Sequence, residues 1–588
     1  MKNTITLFLA LIAFSQSVVA QTTCVVNVNQ NSVINPNSKK LLGISFDART
    51  SEDVNSGPSV VAGGYYDPTT GLIIPEVQPL WDRVPMHGVR YPGNPVIYNW
   101  NWSYTIGPVG NRIAQNLGSG IPVQSLVFGF DEFMDMCAVK GLAYSDVQIM
   151  VNIYPSTGQN DPAILAADWV EYCNAPADGS NPRGGMDWAA LRAQYGHQLP
   201  YNVRIWNIGN EPWTDGELGS TTTGATNYVN IASPIIDSML ASDPTIHITI
   251  PSVGNSASQW NSTILSSSLM GRIYGLSPHS FYDDDASTNN PTITQAQTLL
   301  SNLTTAASAQ GLKIVLGDQA THAQNADPDR AMQWHGALTT ADYLMMASQL
   351  NNVELANFWI YGNPKAVWHP IRQDVNTGEY TLMAAAQLYE TFSPVFLDQS
   401  LSTTTTDNLG NPVTKVRSGG FVSSDGMNAS VIVVNTDTIN DNEVVVPVLS
   451  GFTLQSTRMI YGDSLVADTS KTIPVIPVLN GNYSLPKATV LLFEYAADIS
   501  TSVESSEELA LLYPNPSSGI FNFQLTNFNA FEKYFIKVSD VSGRSVLAET
   551  LSKERGTVNL SNQSAGIYFL KIETENGLLL TKKLMLQK

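Results

Sequence analysis

The stretch NVRIWNIGNEPW, residues 202–213, holds most of what the chain says about its fold. Its apolar core has the length and β-branched content of a short buried strand. It breaks at Asn210-Glu211-Pro212, where the proline fixes the backbone as the strand ends. One carboxylate is therefore left at the C-terminal end of a strand. The same pattern recurs on both sides. LLGISFD (41–47), GVRYP (88–92) and VQIMVNIYP (147–155) precede it, and IHITIPSV (246–253), IYGLSPHSF (273–281), LKIVLGD (312–318) and VELANFWIY (353–361) follow. Helical patterns such as DEFMDMCAVKG (131–141) and DPAILAADWVEYCN (161–174) lie between most of them. Eight strands alternating with helices predict an α/β fold, a (β/α)8 TIM barrel over 41–395. Polar residues gather at the C-terminal ends of the strands, where such barrels build their active sites.

Beyond residue 395 the pattern changes. ASVIVVN (429–435), NEVVVPVL (442–449) and ATVLLFEY (488–495) are separated by Asn, Asp and Gly clusters, which predicts an antiparallel β-sandwich over 396–497. CVVNVN (24–29) is a candidate extra strand for it. The polar stretch 498–510 reads as a linker, and 511–588 as a small all-β unit.

The bulk numbers set limits. A chain of 588 residues is too long for one core, and 43% hydrophobic with 14% charged residues is a globular composition. The net charge of −20 repels nucleic acid and anionic membranes but leaves a neutral polysaccharide unaffected. Residues 1–20 read as a secretory signal: Lys2, the apolar run Ile5–Phe14, and Val18-Val19-Ala20 before the cut. The apolar run is too short to span a bilayer well. Cys24, Cys137 and Cys173 form neither a disulfide framework nor a zinc pattern, and are expected buried and reduced. No cofactor or metal is expected.

Glu211 suits a proton donor, since a carboxyl in a partly desolvated pocket has a raised pKa. The bland alternative is a solvated loop glutamate, and the tripeptide alone does not separate the two. Its surroundings do. VRYPGN (89–94), NWNWSYTIGPVGNR (99–112), FGFDEFMDMCAVKG (128–141), AADWVEYCNAP (166–176) and YGHQLPYNVRIWNIGNEPW (195–213) resemble, in order, the segments of the α-L-arabinofuranosidases of glycoside hydrolase family 51. The resemblance extends over most of 81–395. It implies that Glu211 is the general acid/base and that Asn210 contacts a substrate hydroxyl. It also implies that His279 and Tyr282, in SPHSFYDDD (277–285), orient the nucleophile and bind substrate.

The family's nucleophile is a Glu on the seventh strand. The matching position in LKIVLGDQATHAQ (312–324) is Asp318, followed by Gln319. The acid is shorter by one bond of about 1.5 Å. A retaining spacing of about 5–5.5 Å would widen to roughly 6.5–7 Å if the backbone stayed put. Three outcomes remain open: the backbone compensates and the configuration is retained; a water enters and Asp318 is a general base; or the site binds glycan without cutting it. Two further departures affect sugar choice. Asp47 stands where the family has Glu at the end of the first strand, and Asn94 replaces the second Gly of the Arg-x-Pro-Gly-Gly motif. Both remain candidate substrate contacts. Trp100, Trp102, Tyr104, Trp213, Trp359 and Trp368 lie near predicted strand ends, and a fraction of them, with Trp100 and Trp213 foremost, is expected to face the cleft. The acidic run 283–285 reads as a solvated loop.

The tail carries LLYPNPSSGIFNFQL (511–525), VSGRSVL (541–547), AGIYFLKIET (565–574) and a basic end. It resembles the C-terminal sorting domain of type IX secretion substrates. The expected partners are thus a polysaccharide or oligosaccharide and the type IX machinery, and the expected location is outside the cell or on its outer membrane. The competing reading is a catalytically inactive glycan-binding protein on the same barrel.

Overall fold

A computed structural model describes the chain apart from residues 1–20, 49–64, 68–69, 94–99, 116–122, 124, 157, 215–216, 255–256, 284–290, 322–327, 362–369, 375, 476–480, 499–509, 526–532, 542–543 and 575–576. The signal segment, Asn94 and Trp368 thus lie outside the described residues. The chain divides into two compact units, 1–497 and 498–588.

The first unit is built on a closed barrel of eight parallel strands. We label them β1 (Gly43–Phe46), β2 (Val89–Tyr91), β3 (Val147–Val151), β4 (Ile205–Ile208), β5 (His247–Ser252), β6 (Gly275–Tyr282), β7 (Lys313–Thr321) and β8 (Val353–Tyr361). Each falls within or against one of the eight predicted runs. Helices cover their outer faces, so the strands are buried on both sides and their sequences are apolar rather than alternating. Inside the barrel the side chains form layers. Ile205, Val315 and Leu355 make an apolar floor. Above it lies a hydrogen-bonded polar layer: Gln148 Nε2 donates to Ser277 Oγ (3.1 Å), Thr249 Oγ1 donates to Asn207 Oδ1 (3.0 Å), and Asn357 Nδ2 donates to the Leu316 carbonyl (3.1 Å). Buried polar groups are tolerable when paired in this way. The layer gives the C-terminal face of the barrel a fixed platform.

A nine-stranded sheet follows, its strands lying between Gln399 and Ala497 except for one drawn from the N-terminus. Thr22–Asn35 pairs antiparallel with Gln399–Asp407 and parallel with Asn442–Val445. CVVNVN is therefore an internal strand of this sheet. The segment Asn428–Asn435 departs from simple alternation, being buried on both faces. Val431 and Val433 point into the sandwich core, while Ile432 and Val434 pack with the barrel core. One face of the sheet thus seals the barrel, which explains why both faces of that strand are apolar.

The three cysteines are free and buried, and burial pushes the Cys24 thiol up to about 11. Among the described residues, no helix is long and apolar enough to cross a membrane. The second unit contains a three-stranded and a four-stranded sheet packed through Phe521, Phe523, Val558, Ile536, Val538 and Leu570.

Candidate active site

Four strand ends place the polar side chains of the site. Arg90 lies on β2 and is 1% exposed. A buried guanidinium is tolerable only with partners that fix its charge. Its Nη1 donates to Asp318 Oδ2 at 2.8 Å, and its Nη2 donates to Asn210 Oδ1. Nη2 also lies 3.1 Å from His279 Nε2. An arginine can only donate, so His279 Nε2 accepts and the imidazole proton sits on Nδ1. That proton points to Glu211, whose Oε1 is 2.6 Å from Nδ1.

The two carboxylates meet at this imidazole. His279 Nδ1 is 2.6 Å from Glu211 Oε1 and 3.5 Å from Asp318 Oδ2, so these two oxygens are at most about 6 Å apart. That bound lies below the roughly 6.5–7 Å expected if the backbone stayed put. The sheet register accounts for this. His279 pairs with Asp318 across β6 and β7, and both neighbouring ladders are irregular here, with shifts between Leu276 and His279 and between Leu316 and Gln319. Such irregularities re-aim side chains beside active sites.

The two acids differ in setting. The Glu211 side chain is 35% exposed and that of Asp318 only 6%. Glu211 holds a left-handed backbone, φ 45°, which costs a non-glycine residue about 1–2 kcal/mol. Held backbone strain of this kind is concentrated at functional sites. Asp318 Oδ1 is buried and accepts no hydrogen bond. Gln319, one residue on, points the other way: its Oε1 accepts from Tyr282 and its Nε2 donates to Tyr389. The strand period therefore leaves Asp318, not Gln319, facing the cleft.

The structure moves several predicted contacts. Tyr282 is fully buried, stacks on Tyr343 at 4.4 Å and donates to Gln319 at 2.7 Å. It lies three residues beyond His279, an odd step on an alternating strand, so it faces away from the cleft. Phe281, two residues on, takes the cleft side, edge-on to His279 and to Trp359. Trp100 is 0% exposed and so is Asp47, whose carboxylate lies under Gly93 (a Cβ there would be 2.9 Å from Oδ2). Neither offers surface to a sugar. Trp102 is core, stacked on Trp169. Trp213 is half-buried and edge-on to His279 at 5.7 Å. Among the described residues the aromatic wall is thus Trp213, Phe281 and Trp359. Asp283, expected in a solvated loop, is buried against Arg330 and His335. Arg90 received no role in the sequence reading. Its signal was a lone cation inside the apolar strand GVRYP, which needs a buried counter-charge.

Comparison with known proteins bears on this geometry. Residues 74–302 match the alpha-L-arabinofuranosidase 1 domain. The matched stretch contains Arg90, Asn210, Glu211 and His279. The arabinofuranosidase resemblance read from VRYPGN and WNIGNEPW is thereby shown, and so is the sorting resemblance: residues 511–587 match the secretion system C-terminal sorting domain. The chain is 30% identical over 213 residues to an intracellular exo-alpha-(1->5)-L-arabinofuranosidase of Halalkalibacterium halodurans, covering 34% of this chain and 38% of that one. It is 28% identical over 197 residues to alpha-L-arabinofuranosidase C of Emericella nidulans, covering 32% and 35%. The chain thus spans about a third of the length of these curated relatives. In fold it is similar to the alpha-L-arabinofuranosidase of Thermotoga maritima (TM-score 0.61, 20% identity, 80% of this chain and 99% of that one). It is likewise similar to a family 51 alpha-L-arabinofuranosidase of Bifidobacterium longum (TM-score 0.64, 15% identity, 80% and 99%). The likeness in fold therefore reaches well beyond the matched domain.

Proposed function

We propose that this chain is a secreted glycoside hydrolase that releases α-L-arabinofuranosyl groups from a polysaccharide or oligosaccharide. In this reading Asp318 is the nucleophile and Glu211 the acid/base. The observation that carries it is the single imidazole nitrogen within reach of both carboxylates. It limits the nearest oxygens to about 6 Å, below the roughly 6.5–9.5 Å that an inverting water needs.

In the first step a lone pair of Asp318 attacks the anomeric carbon as its bond to the leaving oxygen breaks. The Glu211 proton passes to that oxygen. In the second, Glu211 takes a proton from water, the water oxygen bonds the anomeric carbon, and Asp318 departs as a carboxylate. Two inversions give net retention. Arg90 anchors Asp318 through Oδ2 and leaves Oδ1 without a competing hydrogen bond. Asn210, held by Arg90, is placed for the hydroxyl beside the reacting carbon. Trp213 and Phe281 offer apolar surface to the sugar ring.

The test is proton NMR of the first-formed anomer on an aryl α-L-arabinofuranoside, together with Asp318→Ala. Retained configuration and loss of turnover are expected. An inverted product would refute the nucleophile assignment. Binding of arabinan without cleavage would favour the inactive glycan-binding reading. The signal at 1–20 and the tail at 511–588 support an extracellular or outer-membrane location, reached through the type IX machinery.

A further inference from the structure

The four-stranded sheet of the second unit has an unusual outer face. Its strands run in the order Ser545–Leu551, Tyr534–Asp540, Gly566–Thr574, Gly577–Leu586. One face is buried in the core of the unit through Tyr534, Ile536, Val538, Tyr568, Leu570 and Ile572. On a half-buried sheet the opposite face is ordinarily polar. Here it carries Phe535, Ile567, Phe569 and Met585, each 36–40% exposed. The register makes these neighbours: Ile567 is opposite Met585, and Phe569 lies between Ser539 and Lys583.

The cations on the same face are placed against their own repulsion. Lys537 and Lys571 are directly opposite each other, Lys583 stands two residues along on the next strand, opposite Phe569, and Glu573, opposite Phe535, is an acid on the same face. Like charges directly opposite on a sheet destabilise it, and exposed apolar side chains on a sheet invite misassociation. The charge of the tail also runs against that of the chain. Residues 511–588 hold nine basic and six acidic residues, within a chain of net charge −20. Two unfavourable features on one face, in a domain whose match is to a secretion signal, point to a surface shaped by something other than stability.

We propose that this face is where the tail docks on the secretion apparatus, and that its partner is a protein surface with an apolar seat flanked by carboxylates. The proposal rests on the sorting reading of the tail. Ile567, Phe569 and Met585 form the apolar centre, and Lys537, Lys571 and Lys583 the charged border. Aromatic and methionine side chains at the centre with charge at the rim is the usual build of a protein interface.

The test expresses the full chain in a bacterium that has type IX secretion, and measures its extracellular share. Deletion of 511–588 is the reference: if that variant is exported normally, the sorting reading itself fails. Given retention of the deletion variant, Lys537→Glu/Lys571→Glu/Lys583→Glu and Phe569→Ser are each expected to lower export about tenfold, as loss of one interface hot spot lowers affinity. Lys553→Glu/Arg555→Glu, at the other sheet, makes the same kind of charge change and should export normally. Unchanged thermal melting of the purified full chains shows that the tail variants fold. Normal export of both face variants would overturn the proposal. So would flotation of the purified chain with phosphatidylglycerol vesicles that the triple variant abolishes, since the partner would then be lipid.

Discussion

Gly317→Ala tests how firmly the site depends on the position of one imidazole. Gly317 lies on β7 directly before Asp318. A Cβ built on it would lie 2.7 Å from His279 Nε2, 2.8 Å from His279 Cδ2 and 3.0 Å from Ser277 Oγ. Ordinary contact needs about 3.5–4.0 Å, so the ring must move by about 1 Å. Ser277 cannot yield easily, since its hydroxyl is held by Gln148 at 3.1 Å in the polar layer. The displaced ring loses its place between Arg90 and Glu211, and the two carboxylates lose their common partner. A misplacement of about 1 Å near the reacting atoms costs on the order of 10²-fold in rate. Overpacking adds about 1–3 kcal/mol of destabilisation. The assay is kcat and KM on an aryl arabinofuranoside, beside urea unfolding. Gly110→Ala is the control, because a Cβ there meets nothing within 4 Å. A kcat for Gly317→Ala within about twofold of wild type would refute the reasoning, because it would mean that imidazole placement is not coupled to the transition state.

Arg90→Met leaves Asp318 and Asn210 without their buried donor, and breaking such a pair costs about 3–5 kcal/mol. A fall in the urea midpoint should accompany loss of kcat, and Arg90→Lys should restore neither fully because one ammonium cannot serve the separate partners a guanidinium reaches. Tyr282→Phe removes the hydrogen bond to Gln319, worth about 1 kcal/mol, and should leave KM unchanged; a raised KM would return Tyr282 to the cleft. Burial pushes the His87 imidazole down to about 4. Between that value and the ordinary 6.5 the unfolded chain binds the extra proton, so stability falls as pH drops through this window, by no more than about 3 kcal/mol. His87→Gln should flatten that dependence in urea titrations between pH 7 and 4.5.

The barrel was legible because each parallel strand, covered on both faces, is an uninterrupted apolar run with a polar end. The pair Glu211 and Asp318 was legible because both acids stand at such ends. The separation of the acids was not. It depends on irregular pairing around His279 and Leu316, which leaves no mark in residue type. Tyr282 and Phe281 show a different failure. With His279 facing the cleft, alternation puts position 281 beside it and 282 behind the sheet, so the signal was present and tyrosine's chemistry was followed in its place. Trp100 and Trp102 could not be told from cleft residues, since a tryptophan has the same letters in a core and in a binding wall. Asp283 misled because two further acids follow it, while its partners Arg330 and His335 arrive from another strand's connection.

The strand Thr22–Asn35 has a consequence for when the molecule can form. It is the first described strand of the chain, yet Cys24 is zipped to Asp407 and Thr22 to Asn442, and the Gln21 side chain reaches the Asn442 carbonyl. Pairings so remote in sequence close slowly, because the loop between them must be gathered first. The sheet that seals the barrel therefore has to wait until almost the whole of the first unit has emerged. A chain made from its N-terminus leads with an open strand whose partners do not yet exist, and the first unit completes its outer wall only once the far end of that wall has followed.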